Sequence, residues 1–359
     1  MIPAKEASVT LSDYENKEWE RLQKHKVAAI SKKAGRLLPA PARLRASTAA
    51  AGVRRAPGAA VVTDAYISAT NELGNIIGAA TSHTVRPESV VKQFEDAGYA
   101  VKSLGGIHDL DLEVVDSVVR FSRVRYGHSG TAALSGVASA AAITGAEVWL
   151  AKGTVAGEGA KKAPQVGIVV TAYVADIAAV LGLAARTVAA TSQYYGYDPR
   201  RPEEQVFMMS VLGLGMAAGT TAKTAAYAEL SKLTQLLFRN ATWEKLNETV
   251  LTKIVQQFVA KFSLTLSKKK LGQIVPVVGM VLGAGLNFAL ISRIAADANA
   301  AYRERFLLER SGGELSVLID CIEAPIQPDD AISMMELLQE EDALPSLGAA
   351  DPVTPEDDC

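Results

Sequence analysis

Cysteine and aromatic residues are scarce in this sequence. Its 359 residues include two cysteines, Cys321 and Cys359, and aromatic side chains make up 6% of the chain. So few cysteines cannot build a disulfide framework, which fits a reducing compartment. The apolar residues are mainly Ala, Val and Leu, with frequent Gly, whereas strands of a sheet sandwich favour aromatic and β-branched residues. The composition predicts an all-α, multi-helix bundle with Gly- and Ala-rich apolar helices.

The sequence also lacks an export signal and a metal-binding pattern. Charged residues follow Met1 within a few positions, so the beginning of the chain has no apolar signal core. We therefore expect a cytoplasmic protein. Its histidines lack the spacing of metal ligands. They are His25, His83, His108 and His128. We assign no catalytic residue, no cofactor-binding residue and no metal ligand.

Charge is unevenly distributed along a chain whose formal net charge is -2. Between Arg21 and Arg55 there are ten Lys or Arg residues and no acid, and from Pro328 onward there are ten Asp or Glu residues and no base. Blocks of like charge are typical of solvated or interacting tails. We divide the chain into a basic N-terminal helix and arm (1–60), a helical domain (61–310) and an acidic C-terminal tail (311–359).

Hydrophobic periodicity predicts helices along most of the chain. Ser12 is expected to cap the first helix, and Gly196 to end a later one in the left-handed conformation before an Asp198-Pro199 turn. The predicted helices span 12–33, 60–80, 87–97, 111–124, 130–151, 164–196, 203–238, 242–262, 267–310 and 329–340.

The longest uncharged stretch runs from Leu271 to Ser292. At 1.5 Å per residue it is about 33 Å long, enough for the ~30 Å hydrocarbon core of a bilayer. However, Pro276 would kink such a helix, and small residues four positions apart favour close helix packing. The stretch is therefore either a buried core helix or a helix or hairpin that meets lipid. The helix-packing or membrane-contact candidates are Pro276, Gly279, Gly283, Gly285 and Asn287.

The basic arm offers a second route to a membrane. Its cations alternate with apolar residues such as Val27 and Ile30, an arrangement that suits an anionic leaflet. Aromatic residues for base stacking are absent from the arm, so we predict anionic lipid and not nucleic acid as the partner, beside the alternative of a solvated charge run. The candidate lipid-binding residues are Lys24, Lys26, Lys32, Lys33 and Arg36.

Two fragments imitate enzyme motifs. The run 127–131 reads Gly-His-Ser-Gly-Thr, a nucleophile elbow whose final Gly is replaced by Thr131. Lys223-Thr224 follows Ala222, where a phosphate-binding loop has Gly, and we interpret this segment as packing. A soluble hydrolase or lipid-binding module with an internal apolar cavity therefore stays an alternative.

Several segments, in order, resemble the EcsC family. The closest are the run Tyr194-Tyr195-Gly196-Tyr197-Asp198-Pro199, the Gly-rich run from Pro276 to Asn287, and Tyr302-Arg303-Glu304-Arg305-Phe306. Leu11 to Glu15 and the small-residue segment from Gly130 to Gly145 are similar too. The resemblance covers about Leu11 to Leu308 and marks Tyr195, Gly196, Tyr197, Asp198 and Pro199 as a characteristic turn.

The resemblance implies a helical domain of unestablished activity, so it transfers no catalytic residue. The family is named after a bacterial operon that also encodes an ABC transporter implicated in secretion. We expect a membrane-associated protein, peripheral at the inner face of the cell membrane, that supports a transport or secretion system. A scaffold that binds another membrane complex through Gly279 and Gly283 is a further alternative.

Overall fold

A computed structural model describes residues 10–31, 86–119, 163–217, 219–239, 241–270, 278–313 and 332–346, with single positions at 121, 127 and 315. Within these residues the chain forms nine α-helices and one 3-10 helix and has no β-strand. The prediction of an all-α bundle is confirmed.

The helices follow one another along the chain with these bounds. They are α1 (Asp13–Ser31), α2 (Pro87–Asp96), the 3-10 helix (Leu104–Asp109), α3 (Leu112–Val118), α4 (Ala163–Tyr194), α5 (Pro202–Met216), α6 (Thr220–Phe238), α7 (Glu248–Lys270), α8 (Val278–Arg310) and α9 (Met334–Glu340).

Side-chain caps fix the beginnings of three helices. Ser12 Oγ accepts a hydrogen bond from Glu15 N at 3.3 Å, and Glu15 Oε2 accepts one from Ser12 N at 3.0 Å, which is a reciprocal capping box. Asp111 caps α3 and Ser333 caps α9 by accepting backbone N–H groups in the same way. The predicted role of Ser12 is confirmed.

Two predicted long helices are wrong in the same way, because each is divided. The helix expected over 203–238 is α5 and α6, separated by a break that includes Gly219, whose backbone is extended. The helix expected over 267–310 is divided between two helices, α7 and α8, and residues 271–277 between them lie outside the described residues. Apolar periodicity continued across both breaks and concealed them.

Helix α8 is the axis of the bundle, and α5 runs antiparallel to it. Near the start of α5, Glu204 bonds Arg305 of α8, whereas near its end Gly215 lies against Ile294. A β-carbon at Gly215 would lie 2.5 Å from Ile294 Cγ1 and 3.2 Å from its Cα. The two helix backbones therefore approach as closely as a residue without a side chain allows.

Helices α1, α6 and α7 extend beside this pair. α1 is antiparallel to α8, since Glu15 near its start pairs with Arg310 and Lys26 near its end pairs with Glu304. α6 is parallel to α8, because its last residue, Phe238, lies beneath Gly313, just past the end of α8.

The direction of α7 follows from its contacts with α9. Lys261 pairs with Glu336 and Lys253 with Glu341, so the later part of α7 lies beside the start of α9. Ile332, just before α9, lies against Gly213 near the end of α5. We call the end where α1 and α7 finish and α8 begins the arm end, and the opposite end, with residues 195–201 between α4 and α5, the turn end.

Candidate functional site

The residues that carry the family resemblance meet at the turn end. The chain leaves α4 through Tyr195 and Gly196, and Gly196 has φ +89°, which confirms its predicted left-handed conformation. Gly196 N donates to Gln193 O at 3.0 Å, and Tyr197 N donates to Ser192 O at 3.0 Å. These two bonds form a Schellman motif, which reverses the chain toward α5.

Gly196 is also pressed against the 3-10 helix. A β-carbon there would lie 2.7 Å from His108 Cδ2 and Nε2 and 2.9 Å from Leu104 O. His108 stacks on Phe306 with ring centroids 5.9 Å apart, and its Nδ1 lies 3.5 Å from Glu309 Oε2. Burial lowers the pKa of His108, while Glu309 acts in the opposite direction. Sequence spacing gave His108 no role, because its partners lie about 90 and 200 residues away.

The two tyrosines of the turn bind α8 in different ways. Tyr195 Oη donates to Asn299 Oδ1 at 2.8 Å and accepts from Arg303 Nε at 3.2 Å. Tyr197 lies beneath Arg305, whose guanidinium carbon is 3.9 Å from the ring centre. Burial raises the pKa of both hydroxyls, so both stay neutral.

Asp198 and Pro199 complete the turn. Asp198 Oδ1 accepts from Arg200 N at 3.0 Å, and its carboxylate also binds the Arg200 side chain. These hydrogen bonds lower the pKa of Asp198. Pro199 is buried beside it. The turn is therefore stabilised from both sides, by local hydrogen bonds and by α8.

Three arginines of α8 bind acids from other helices. Arg305 forms a two-pronged pair with Glu204, at 2.7 and 2.8 Å, and its Nε lies 2.9 Å from Glu309 Oε1. Both Arg305 and Glu204 are more than nine-tenths buried. A charge pair buried to this degree contributes little net stability, yet it is costly to break from one side.

Arg303 joins α8 to α1 and α3. Its Nη1 donates to Glu18 Oε2 at 2.6 Å, and its Nη2 contacts the Asp116 carboxylate. Tyr14 Oη donates to the other oxygen of Asp116 at 2.7 Å. Burial and this hydrogen bond raise the pKa of Tyr14 to about 12.

Arg310 completes the network at the end of α8. Its Nε lies 2.7 Å from Glu15 Oε1, and its Nη1 donates to Leu110 O at 2.8 Å. Carboxylates and backbone carbonyls of the protein therefore pair with the guanidinium groups of all three arginines. The geometry suits a network that orients α1, the 3-10 helix, α3 and α5 on α8, rather than a reaction centre.

The predicted arm residues separate into two groups. Lys24 is exposed and pairs with Glu20 at 3.0 Å. Lys26 is buried, pairs with Glu304 and lies 5.6 Å from the centre of the Tyr227 ring. The assignment of Lys26 to a lipid-facing arm is therefore corrected, because its ammonium faces the bundle interior. Lys32, Lys33 and Arg36 lie outside the described residues.

The candidates in the uncharged stretch are described in part. Asn287 is buried in α8, with 1% of its surface exposed. Gly279, Gly283 and Gly285 belong to the first turns of α8, but their surroundings lie outside the described residues, as does Pro276. Among the described residues, no helix is long and apolar enough to cross a membrane.

The enzyme-like fragments add no site. Ser129 and its neighbours from 128 to 131 lie outside the described residues. Lys223 and Thr224 lie near the start of α6, where Thr224 Oγ1 donates to Thr220 O at 2.9 Å as an ordinary helical side chain. In the part of the chain that the structure describes, no group of His, Cys, Asp or Glu residues is arranged to hold a metal ion.

The class of this protein is an all-α bundle in which one long helix, α8, contacts a glycine turn and carries three arginines paired with acids of other helices. The chain belongs to the EcsC protein family, whose model matches residues 14–307. It is similar to the uncharacterized protein YdbA of Bacillus subtilis (strain 168), with 35% identity over 138 residues. That match covers 38% of this chain and 47% of YdbA, so the chain spans about half the length of the curated relative it matches. No solved structure matches the chain.

Proposed function

We propose that this chain is a cytoplasmic, peripheral membrane protein that places the arm end of its helical bundle against an anionic bilayer. The observation that carries the proposal is that α1 and α7 end, and the uncharged part of α8 begins, toward the same end of the bundle. α1 ends at Ser31, immediately before Lys32 and Lys33, and α7 ends in Lys268, Lys269 and Lys270. Such cations favour an anionic leaflet by about 1 kcal/mol each.

The uncharged part of α8 lies at the same end. From Val278 to Ser292 it has no charged residue, and its length is about 22 Å at 1.5 Å per residue. Two large apolar side chains toward this end are exposed, Leu264 at 51% and Phe288 at 37%.

Flotation of the full-length protein with lipid vesicles tests the proposal. We expect binding to vesicles that contain phosphatidylglycerol, weaker binding to vesicles of phosphatidylcholine alone, and partial release by salt, because salt screens the cations but not the apolar contacts. Leu264→Glu and Phe288→Glu should each weaken binding about tenfold, the loss expected when one large apolar side chain no longer enters the lipid.

Leu344→Glu is the matched control. Leu344 is exposed to 41%, comparable to Leu264, but it follows α9 near Lys245 and therefore lies toward the turn end. The Leu344→Glu variant should therefore bind vesicles as well as wild type does. If wild-type protein stays unbound with anionic vesicles at low salt, the proposed function is wrong.

Other functions stay predictions from the sequence alone. They are a part in transport or secretion, a membrane-protein partner at Gly279 and Gly283, and a hydrolase centred on Ser129.

A further inference from the structure

Residues 332–346 lie as a strap across α5, α6 and α7. The strap contains α9 and is held near both ends by hydrogen bonds to its own backbone. Near its start, Met335 N donates to Glu229 Oε1 of α6 at 2.7 Å. At its end, Ser346 exchanges two backbone hydrogen bonds with Thr242, at 2.9 and 3.2 Å. The strap is therefore a docked element with a fixed position on the bundle.

The strap has one apolar side and one acidic side. Its buried apolar residues are Ile332, Met334, Leu337, Leu338 and Ala343. Met334, Leu337 and Leu338 have the spacing of one helix face, which packs on the bundle. The acids lie on the remaining surface, where Glu336 and Asp342 are exposed. The apolar side thus fixes the strap and places its carboxylates at the surface.

On that surface, acids of the strap pair with α7. Glu336 Oε2 lies 3.3 Å from Lys261 Nζ, and Glu341 Oε2 lies 3.3 Å from Lys253 Nζ. Glu341 also accepts from Gln257 Nε2 at 3.1 Å. Residues four apart lie on one helix face, so Lys253, Gln257 and Lys261 form a stripe along α7. The strap pairs with every member of this stripe and neutralises both of its cations.

The stripe leads toward the part of α7 that the proposed function places against lipid. At 3.6 residues per turn, Leu264 falls on the same helix face as Lys253 and Lys261 and lies closer to the arm end. Leu264 is 51% exposed. The side chains of Lys253 and Lys261 are 57% and 38% exposed. Their pairs with the strap are therefore surface salt bridges, which are weak enough for another anion to replace.

We propose that the strap is an autoinhibitory segment, whose carboxylates hold Lys253 and Lys261 away from anionic phospholipid. The inference rests on the proposed membrane function. A carboxylate of the strap and the phosphate of a lipid compete for the same ammonium group, so each pair with the strap removes one cation from the contact with the bilayer. The strap follows residues 14–307, which the family model matches, so it regulates the family domain from outside it.

Vesicle flotation of full-length charge variants tests the strap. Glu336→Gln combined with Glu341→Gln should raise affinity for vesicles containing phosphatidylglycerol about thirtyfold, the gain expected when two cations become available at the lipid surface. Glutamine keeps the shape of glutamate and a carbonyl oxygen that can accept from Gln257, so the strap should stay docked. The circular dichroism of the variant should match wild type.

The matched control is Glu340→Gln with Asp342→Asn, which removes the same charge from the same strap. Asp342 pairs with Lys245, which precedes α7, and Glu340 is exposed. Among the described residues, neither acid pairs with the stripe. Asparagine also tolerates the φ of +50° at Asp342. The control should gain less than about threefold in affinity, because screened net charge changes while the stripe lysines stay paired.

Removal of the stripe cations gives a second test. Lys253→Gln with Lys261→Gln should lower vesicle affinity about thirtyfold in the Glu336→Gln/Glu341→Gln background. In the wild-type background the same change should cost less than about fivefold, because the strap already neutralises both lysines. Equal losses in the two backgrounds would mean that the acids and the lysines act independently, which overturns the inference.

The outcomes separate this inference from the proposed function. If wild-type protein binds anionic vesicles and Glu336→Gln/Glu341→Gln binds no more tightly than the control, autoinhibition by the strap is refuted while membrane association stands. If wild-type protein and every variant stay unbound, the proposed function fails and the inference fails with it.

Discussion

Replacing Gly196 by alanine gives the sharpest test of the turn that joins α4 to α5. At φ +89°, an L-residue with a β-carbon is strained by about 1–2 kcal/mol. The added carbon would also lie 2.7 Å from two atoms of the His108 ring and 2.9 Å from Leu104 O. Overpacking of this kind costs about 1–3 kcal/mol, because a backbone oxygen cannot move aside easily. We expect Gly196→Ala to lower the free energy of unfolding by about 3 kcal/mol in total.

Gly98 supplies a matched control. It ends α2 with the same pair of hydrogen bonds, Gly98 N to Glu95 O and Tyr99 N to Phe94 O, and its φ is +93°. A β-carbon at Gly98 would meet nothing within 4 Å. Gly98→Ala should therefore cost about 1 kcal/mol, from backbone strain alone.

Urea unfolding followed by circular dichroism measures both variants against wild type. The difference between them, about 2 kcal/mol, isolates the packing of Gly196 against the 3-10 helix. His108→Ala should reduce the penalty of Gly196→Ala only in part, since the contact with Leu104 O remains. If Gly196→Ala and Gly98→Ala lower the free energy of unfolding equally, the turn does not approach the 3-10 helix closely.

Two further predictions concern charged groups of α8. Arg305→Met should lower the free energy of unfolding in urea by about 3–5 kcal/mol, because Glu204 is left buried without its partner. Adding Glu204→Leu should recover most of that loss. If the double variant recovers no stability, the buried pair is not the cause of the loss. Asp297→Asn should stabilise the protein increasingly as pH rises above the ordinary pKa of an aspartate. Burial raises the folded-state pKa of Asp297 above the ordinary value of an aspartate, and the positive charges of Lys223, Arg293 and His25 act in the opposite direction. The folded state therefore holds the proton longer than the unfolded state, and wild type loses stability as pH rises through that window. Parallel melting-temperature curves for wild type and variant would reject this role of Asp297.

Local signals in the sequence account for the ends of several helices. Ser12 and Glu15 stand three residues apart, the spacing of a capping box, and the structure forms both of its bonds. Gly196 before Asp198-Pro199 marked a helix end, and it adopts the left-handed conformation. These helix ends can be predicted from the sequence because each signal depends on residues within one helical turn.

The candidate sites depended on residues far apart, and the sequence located them only in part. Lys26 belongs to a block of like charge, which is typical of a solvated face, but its partner Glu304 is 278 positions away. No local sequence pattern indicates the pairing of Lys26 with Glu304.

The sequence by itself determined that this chain is helical, where α1 and α3 start, and that basic, uncharged and acidic segments occupy different parts of it. These properties follow from composition and from interactions within one turn. Only the tertiary structure decided that the end of α1 lies toward the uncharged start of α8, and that Arg303, Arg305 and Arg310 pair with acids of other helices at the opposite end. The physical reason is that helix direction and ion-pair partners are set by packing of distant segments. The same uncharged run could have been a lone membrane span, whereas in the structure Asn287 within it is buried against the bundle.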